Sequence, residues 1–308
     1  MAAITAAMVK ELREITGSGM MDCKKALGAT DGDMDKAVEW LRENGFMKAA
    51  KKAERIAAEG VCVAAVAADG KSAAVVEVNS ETDFVAKNEK FTTFANEVAA
   101  KALTTSAADI DAFLEEEFEA GKSIKTALTE QIAVIGENMN IRRFGKLAEP
   151  EGLVESYIHG SRIGVLVALK TSVVNDAVKE AARNVAMQIA AMRPTYLNRD
   201  EVSKEYLDHE LEILKAQAAN DPKLSGKPAN VLENILKGQL NKELKEICLV
   251  DQVYVKDSSM SVQAYIDSVA KAEGATMALT GFVRFETGEG LEKRIENFAD
   301  EVAAQMGN

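Results

Sequence analysis

Histidine occurs only twice in the 308 residues, at His159 and His209, and cysteine only three times, at Cys23, Cys62 and Cys248. Two histidines cannot by themselves build a His-based metal centre. The cysteines are odd in number, far apart and free of any C-x-x-C spacing, which argues against a disulfide framework or a zinc site and for a reducing compartment. Net positive charge is missing too. The formal net charge is -12, a poor basis for nucleic-acid binding, which needs basic surface to displace phosphate counterions. No direct nucleic-acid binding is expected, and the local basic cluster Lys48, Lys51, Lys52 and Arg55 reads as a solvated helix end or linker. Long apolar runs are absent: stretches such as VCVAAVAA at 61–68 are far too short to span a bilayer. The N-terminal MAAITAAMVKELREITG lacks the basic-then-apolar pattern of a signal, and Glu11 and Glu14 are wrong for a transit peptide. The expectation is a cytoplasmic protein with no membrane association.

Catalytic signatures are absent as well. AGKS at 120–123 resembles the end of a phosphate-binding loop, but the position five residues before Gly121 is Glu116, and the segment in front, FLEEEFE, is acidic and helical in pattern where a strand is required. TGEG at 287–290 is no dinucleotide fingerprint, and neither G-x-S-x-G nor H-E-x-x-H occurs. Paired carboxylates are plentiful but lie on charged helix faces, where solvation is the default. The sequence therefore offers no catalytic residue, no metal ligand and no cofactor site. Weight shifts from an enzyme to a protein whose work is contact with another protein.

What is present is ample globular material: 47% hydrophobic and 28% charged residues, in a length suited to two domains or more. Residues 1–55 predict three short helices and a linker. Met8, Leu12 and Ile15 lie at helical spacing up to Gly17, a second helix covers Met20 to Ala29, and a third carries Ala37, Val38, Trp40 and Leu41 and ends near Gly45. MKAAKKAERIAAEG then reads as a helical linker. From Val61 the period changes to apolar run, Asp-Gly-Lys turn, apolar run, a β-hairpin signal, followed by a helix from Asn88 to Leu103. LVESYIHGSRIGVLVALK at 153–170 repeats the pattern, with a helix from Asn175 to Met192. One β-β-α unit used twice suits an α+β core with antiparallel sheets backed by helices. Between the units lie helices around Leu114, Phe118 and Leu128 to Ile135, then a strand at Asn140 to Phe144. Residues 199–247 carry narrow apolar stripes, Leu207, Leu211, Leu214 and Ala218, then Leu232, Ile235 or Leu236, Leu240 and Leu244, which predict a protruding helical hairpin or short coiled coil, the plainer reading being an ordinary helix pair packed on the core. The chain ends in strand-like 252–255, a helix at 261–273, a strand at 278–286 and an amphipathic helix in ENFADEVAAQM. The domains expected are therefore 1–55 (docking), 56–146 (first core subdomain), 147–198 with 248–284 (second core subdomain), 199–247 (inserted hairpin) and 285–308 (C-terminal module).

Five blocks, LREITGSGMMDCKKAL, VEVNSETDFVAKNEKF, IGENMNIRR, SYIHGSRIGVLVAL and TGFVRFETGEGLEK, fall in order along nearly the whole chain. Together they closely resemble the elongation factor Ts family of bacteria. The resemblance implies a translation elongation factor for protein biosynthesis, a guanine-nucleotide exchange factor that binds elongation factor Tu in its GDP-bound and nucleotide-free states. It further implies that the N-terminal unit is like a ubiquitin-associated domain and that the 199–247 hairpin is a dimerisation insertion, giving a homodimer. Residue by residue, it assigns partner contacts to Thr82, Asp83 and Phe84 of the T-D-F motif, the phenylalanine wedging between helices of the partner's nucleotide domain and disturbing its magnesium and phosphate site. It assigns others to Lys24, Ile135, Gly136 and His159. A contact after the hairpin falls on DQVYVKD, where Val255 matches but Lys256 replaces an apolar residue, so that contact stays open. The plainer readings are a Phe84 ring folded beside Phe91, a solvated Lys24, and a His159 bonded to turn backbone. For the whole chain the alternatives are a non-catalytic adaptor between a ribosome-associated partner and another protein, and an enzyme with an unrecognised site.

Overall fold

The computed structural model describes residues 4–221, 223–224 and 227–292. The tail helix expected in ENFADEVAAQM, and with it most of the segment 285–308, lies outside the described residues.

Thr5 caps the first helix, α1 (Ala6–Thr16), by accepting from the Met8 amide, and Gly17 at φ 64° ends it. α2 (Met20–Ala29) and α3 (Met34–Ala50) complete a three-helix unit. Its small core is Leu12, Cys23, Ala26, Leu27 and Ala37. Gly45 does not stop α3. It lies inside the helix, where an added Cβ would come within 3.1 Å of the Ala133 side chain, so its value is close approach to a neighbouring helix and not termination. Of the expected helical linker, 47–50 is the end of α3, and the rest is turns over 51–55 and irregular chain up to β1.

The first β-β-α unit runs through β1 (Glu59–Val66), β2 (Ser72–Ser80), a short α4 (Asp83–Ala86) and α5 (Glu89–Thr104). α6 (Ile110–Glu115), β3 (Glu117–Glu119), β4 (Lys122–Ser123), α7 (Ile124–Ile135) and β5 (Met139–Ala148) follow. Phe118, expected on a helix, lies on β3, and Gly121 at φ 74° turns the chain into β4. AGKS is thus a tight hairpin turn at Ala120–Gly121 followed by the short strand β4. The second unit is β6 (Gly152–His159), β7 (Ile163–Thr171) and α8 (Asp176–Met192). Two long helices, α9 (Lys204–Asn220) and α10 (Ala229–Ile247), pack on each other, and β8 (Val253–Tyr254), β9 (Asp257–Ser261), α11 (Val262–Glu273) and β10 (Met277–Glu286) close the described chain. Among the described residues no helix is long and apolar enough to cross a membrane.

The mixed helices and antiparallel sheets make this an α+β fold. The sheets have the orders β1-β2-β5 and β6-β7-β10, antiparallel throughout. In each, a hairpin is followed by a helix and a third strand returns beside the second. Alternation along the strands sorts the core into layers. Ala74, Val76 and Val78 face α5 and α7, while Ala73 and Val75 face the other sheet. Val165 and Val167 face α8 and α11, while Leu166 and Ala168 face back. Burial on both faces explains why β2 and β7 read as continuous apolar runs. The sheets approach closely at Gly164 and Gly145, where added Cβ atoms would fall 2.7 Å from Val75 and 2.8 Å from Val283.

Glu77 breaks the apolar run. Continuing the 73, 75 alternation, it points between the sheets and is fully buried. A bulge in β5 answers it: Glu77 pairs with Arg143 and Val78 with Ile141, leaving Arg142 as the extra residue. Successive strand residues normally point to opposite faces, and the bulge re-aims one of them. Both arginines reach Glu77, Arg143 Nε at 2.6 Å and Arg142 Nη1 at 3.1 Å. The Gly288 amide donates to the same carboxylate at 2.8 Å from the turn after β10. The second sheet is thereby fastened to the first. Removing one partner of a buried ion pair strands the others. Glu77→Ala is expected to cost about 3 kcal/mol in denaturant unfolding, toward the low end for such losses because both guanidinium groups keep some water. An unchanged unfolding free energy would contradict this role.

Candidate partner interface

Six strand ends meet at one end of the paired sheets. β2 and β6 finish there, and β1, β5 and β7 begin. The turn after β10 closes the set, with the Thr287 amide on the Arg162 carbonyl at 2.8 Å. The β6–β7 turn is tied to β1 by the Cys62 amide on the Ser161 carbonyl at 2.7 Å and by Arg162 on Glu59 at 2.5 Å. Most of the residues singled out from sequence lie on the loops that leave this end.

Thr82, Asp83 and Phe84 follow β2. Thr82 is extended and caps α4. Val85 and Ala86 pack against the first core, which seats one side of the short helix. Phe84 is on the other side and is 80% exposed. Its ring is not folded against Phe91, which is fully buried. Asp83 is exposed and paired with Lys87 at 2.6 Å, one helical turn on. This hydrogen bond, with the lysine charge behind it, holds the Asp83 carboxyl below its ordinary value of 3.8.

Ile135 ends α7 and Gly136 at φ 93° is its left-handed cap. A side chain would be strained there. This second loop is adjacent to the first. Thr82 donates from its backbone to Glu137 Oε2 at 3.0 Å and from its hydroxyl to Oε1 at 2.6 Å. Lys52, from the turns after α3, donates to the Gly136 carbonyl at 2.6 Å, and burial pushes its ammonium below its ordinary value, with Arg55 adding repulsion. His159 ends β6 at the same end of the sheets, exposed, with Nδ1 2.9 Å from the Tyr157 hydroxyl, a side-chain partner and not turn backbone. Its turn reaches the Phe84 loop only indirectly, through Arg162, Glu59 and the pairing of Glu59 with Ser80. Lys24 is apart from these. It is exposed on α2 and forms no ion pair among the described residues. Lys256 donates to Asn184 at 2.6 Å, beside an exposed Val255.

Among the described residues no group of three or more His, Cys, Asp or Glu side chains is placed to hold a metal ion. A cleft of about 310 Å³ between the three-helix unit and α7 is lined by Ile15, Val38, Leu41, Phe46 and Val134, and its Lys122 and Glu130 are spent on each other at 2.7 Å. What projects at the strand ends is an aromatic ring on a tied loop, a shape for contact.

Residues 81–289 match the family model described as Elongation factor TS. The chain is also 51% identical to elongation factor Ts of Clostridioides difficile strain 630, over 99% of this chain and all of that protein. It is 50% identical to that of Clostridium novyi strain NT, over 98% and 99%, and 49% identical to that of Clostridium tetani strain Massachusetts / E88, over 98% and 99%. The chain belongs to the elongation factor Ts family. Membership places it among translation elongation factors with a nucleotide-exchange role. The matched span begins one residue before Thr82 and includes Ile135, Gly136 and His159, but not Lys24.

Sequence reading missed Glu81 and Glu137. Each is an ordinary acid in a polar loop, and the only signal was position, beside Thr82 in one block and after Gly136 in another. For Asp83 the structure makes a pH-dependent expectation. A depressed folded-state carboxyl contributes stability above the ordinary value and loses it as pH falls through the folded one. An NMR titration is expected to place Asp83 below 3.8, with Lys87→Ala restoring the ordinary value. A wild-type Asp83 titrating at or above 3.8 would contradict the pairing.

Proposed function

We propose that this chain is the guanine-nucleotide exchange factor for elongation factor Tu, binding its GDP-bound and nucleotide-free states and promoting GDP release by disturbing the magnesium and phosphate site. The observation that carries the reading is Phe84: a large apolar side chain, 80% exposed, on a loop fixed on both sides. A lone surface phenylalanine needs no explanation. One held at the tip of a tied loop, within the T-D-F motif of this family, fits a wedge. Asp83 beside it, Ile135 and Gly136 on the adjoining loop, His159 at the same end and Lys24 on α2 are the further contacts we propose. The division of labour we infer gives docking to residues 1–55, the wedge to 56–146, a second contact to 147–198 with 248–284, and pairing of two copies to 199–247.

An exchange factor makes no covalent bond. It acts by binding the nucleotide-free partner more tightly than the nucleotide-bound one, and the coupling is reciprocal. Weakening GDP by about four decades takes roughly 5.5 kcal/mol of differential contact. Burying one phenylalanine supplies about 1.5–3 kcal/mol. Phe84 is therefore a large share and not the whole, and several contacts must differ between the two states.

The test is release of a fluorescent GDP analogue from elongation factor Tu with catalytic amounts of this chain. Wild type is expected to accelerate release strongly, and no acceleration would sink the proposal. Phe84→Ala is expected to slow exchange by about 10- to 100-fold, as loss of one buried phenylalanine implies, without lowering the unfolding midpoint, because the ring makes little contact in the free chain. Exchange within about twofold of wild type would remove Phe84 from the mechanism.

A further inference from the structure

The four residues of α4 are too few to hold themselves in place, because a single helical turn fixes many dihedral angles for one hydrogen bond. Its N-cap bond, from the Val85 amide to the Thr82 hydroxyl, is long at 3.4 Å. Yet this segment carries Phe84. Something outside it must aim the ring.

The pairing of β2 with β5 shows what does. Its last pair is Ser80 with Met139. Continued in register, the next positions are Glu81 opposite Asn138 and Thr82 opposite Glu137. There the backbones have parted, and side chains take over the ladder. The Asn138 amide donates to Glu81 Oε1 at 2.5 Å, and the Thr82 amide and hydroxyl donate to the two oxygens of Glu137 at 3.0 and 2.6 Å. Each loop supplies the carboxylate that satisfies the other's amide. These are charge-assisted bonds, the stronger kind, and the Glu81 side chain is only 18% exposed. The linker after α3 joins the same knot through Asn138 Nδ2 on the Arg55 carbonyl at 2.7 Å.

We propose that Glu81 and Glu137 are positioning residues for Phe84: their crossed carboxylates lock the Thr82–Phe84 loop to the Ile135–Gly136 loop, so that both meet the partner as one rigid unit. The inference rests on the exchange reading above and deepens it. Glu137 grips Thr82 at two atoms, fixing both its backbone and its hydroxyl, and so sets the direction in which Asp83 and Phe84 leave. The strands themselves do not need the clasp, since their ladder is complete one pair earlier. Its loss therefore acts on the loops and spares the sheet.

The experiment is a double-mutant cycle in the full chain. Glu137→Ala and the conservative Glu137→Gln are each made alone and with Phe84→Ala, and release of the GDP analogue from elongation factor Tu is measured for all. Amide hydrogen exchange is followed on the free chain. Glu137→Ala alone is expected to cut the acceleration about tenfold, as loss of hydrogen bonds to a charged group implies, and Glu137→Gln to recover part of it. In the Phe84→Ala background the same change is expected to cost less than about twofold, because the ring it aimed is gone. Equal losses in both backgrounds, or no loss in either, overturn the proposal. If wild type accelerates nothing, the exchange reading fails, and amide exchange decides the clasp by itself. The clasp requires Glu137→Ala to expose the Thr82 amide while β2 and β5 stay protected; unchanged protection at Thr82, or uniform loss across both strands, overturns it.

Discussion

The carboxylate of Glu77 is the constraint on which one whole end of the molecule depends. An ionised carboxylate buried without partners costs several kcal/mol, so its surroundings must supply compensation. They do so from three places in the chain: a bulge that turns two consecutive arginines to one side, the backbone of the turn after β10, and Asn79 Nδ2 at 3.1 Å. Gly288 is part of the requirement, because it sits at φ 73° with an added Cβ 2.2 Å from the Ala58 carbonyl oxygen. The arrangement fastens two three-stranded sheets together at the strand ends from which the Phe84, Gly136 and His159 loops depart. Arg143 adds to the weld by lying 4.3 Å over the Phe285 ring.

In the exchange reading proposed above, the chain acts by contact alone, and the stiffness of its contact surface then matters. A wedge that yields on contact transfers little differential energy to its target. Phe84 stands on a four-residue helix, so on the proposed reading its stiffness is borrowed from the neighbouring loop tied to Thr82 and from the welded sheets behind it. The thiol of Cys62, pushed up to about 11 by burial in the same region, is inert packing in this scheme.

The regular elements were legible in the sequence because their signals are strong and local. Both hairpins, α2 and the long apolar-striped helices follow from period and turn residues alone. The misses have a common physical cause. Gly45 looks like a stop, yet its role is set by Ala133, far along the chain. Phe118 has a helical neighbourhood but is captured by a two-strand pairing. α4 is too short for any periodicity. Glu137 finds its partner 55 residues away, where no local pattern reaches. Of the interface, the likeness of the T-D-F block to a known family singled out Phe84; only the structure shows that the ring is bare and what sits beside it.

The most direct test of the wedge is photo-crosslinking from position 84, with a photoreactive phenylalanine analogue in place of Phe84, on mixing with elongation factor Tu. The account predicts a covalent adduct within the nucleotide domain of that protein, in a yield that falls as GDP is added, since nucleotide and wedge oppose each other. An adduct in another domain, no adduct, or a yield indifferent to GDP would contradict it.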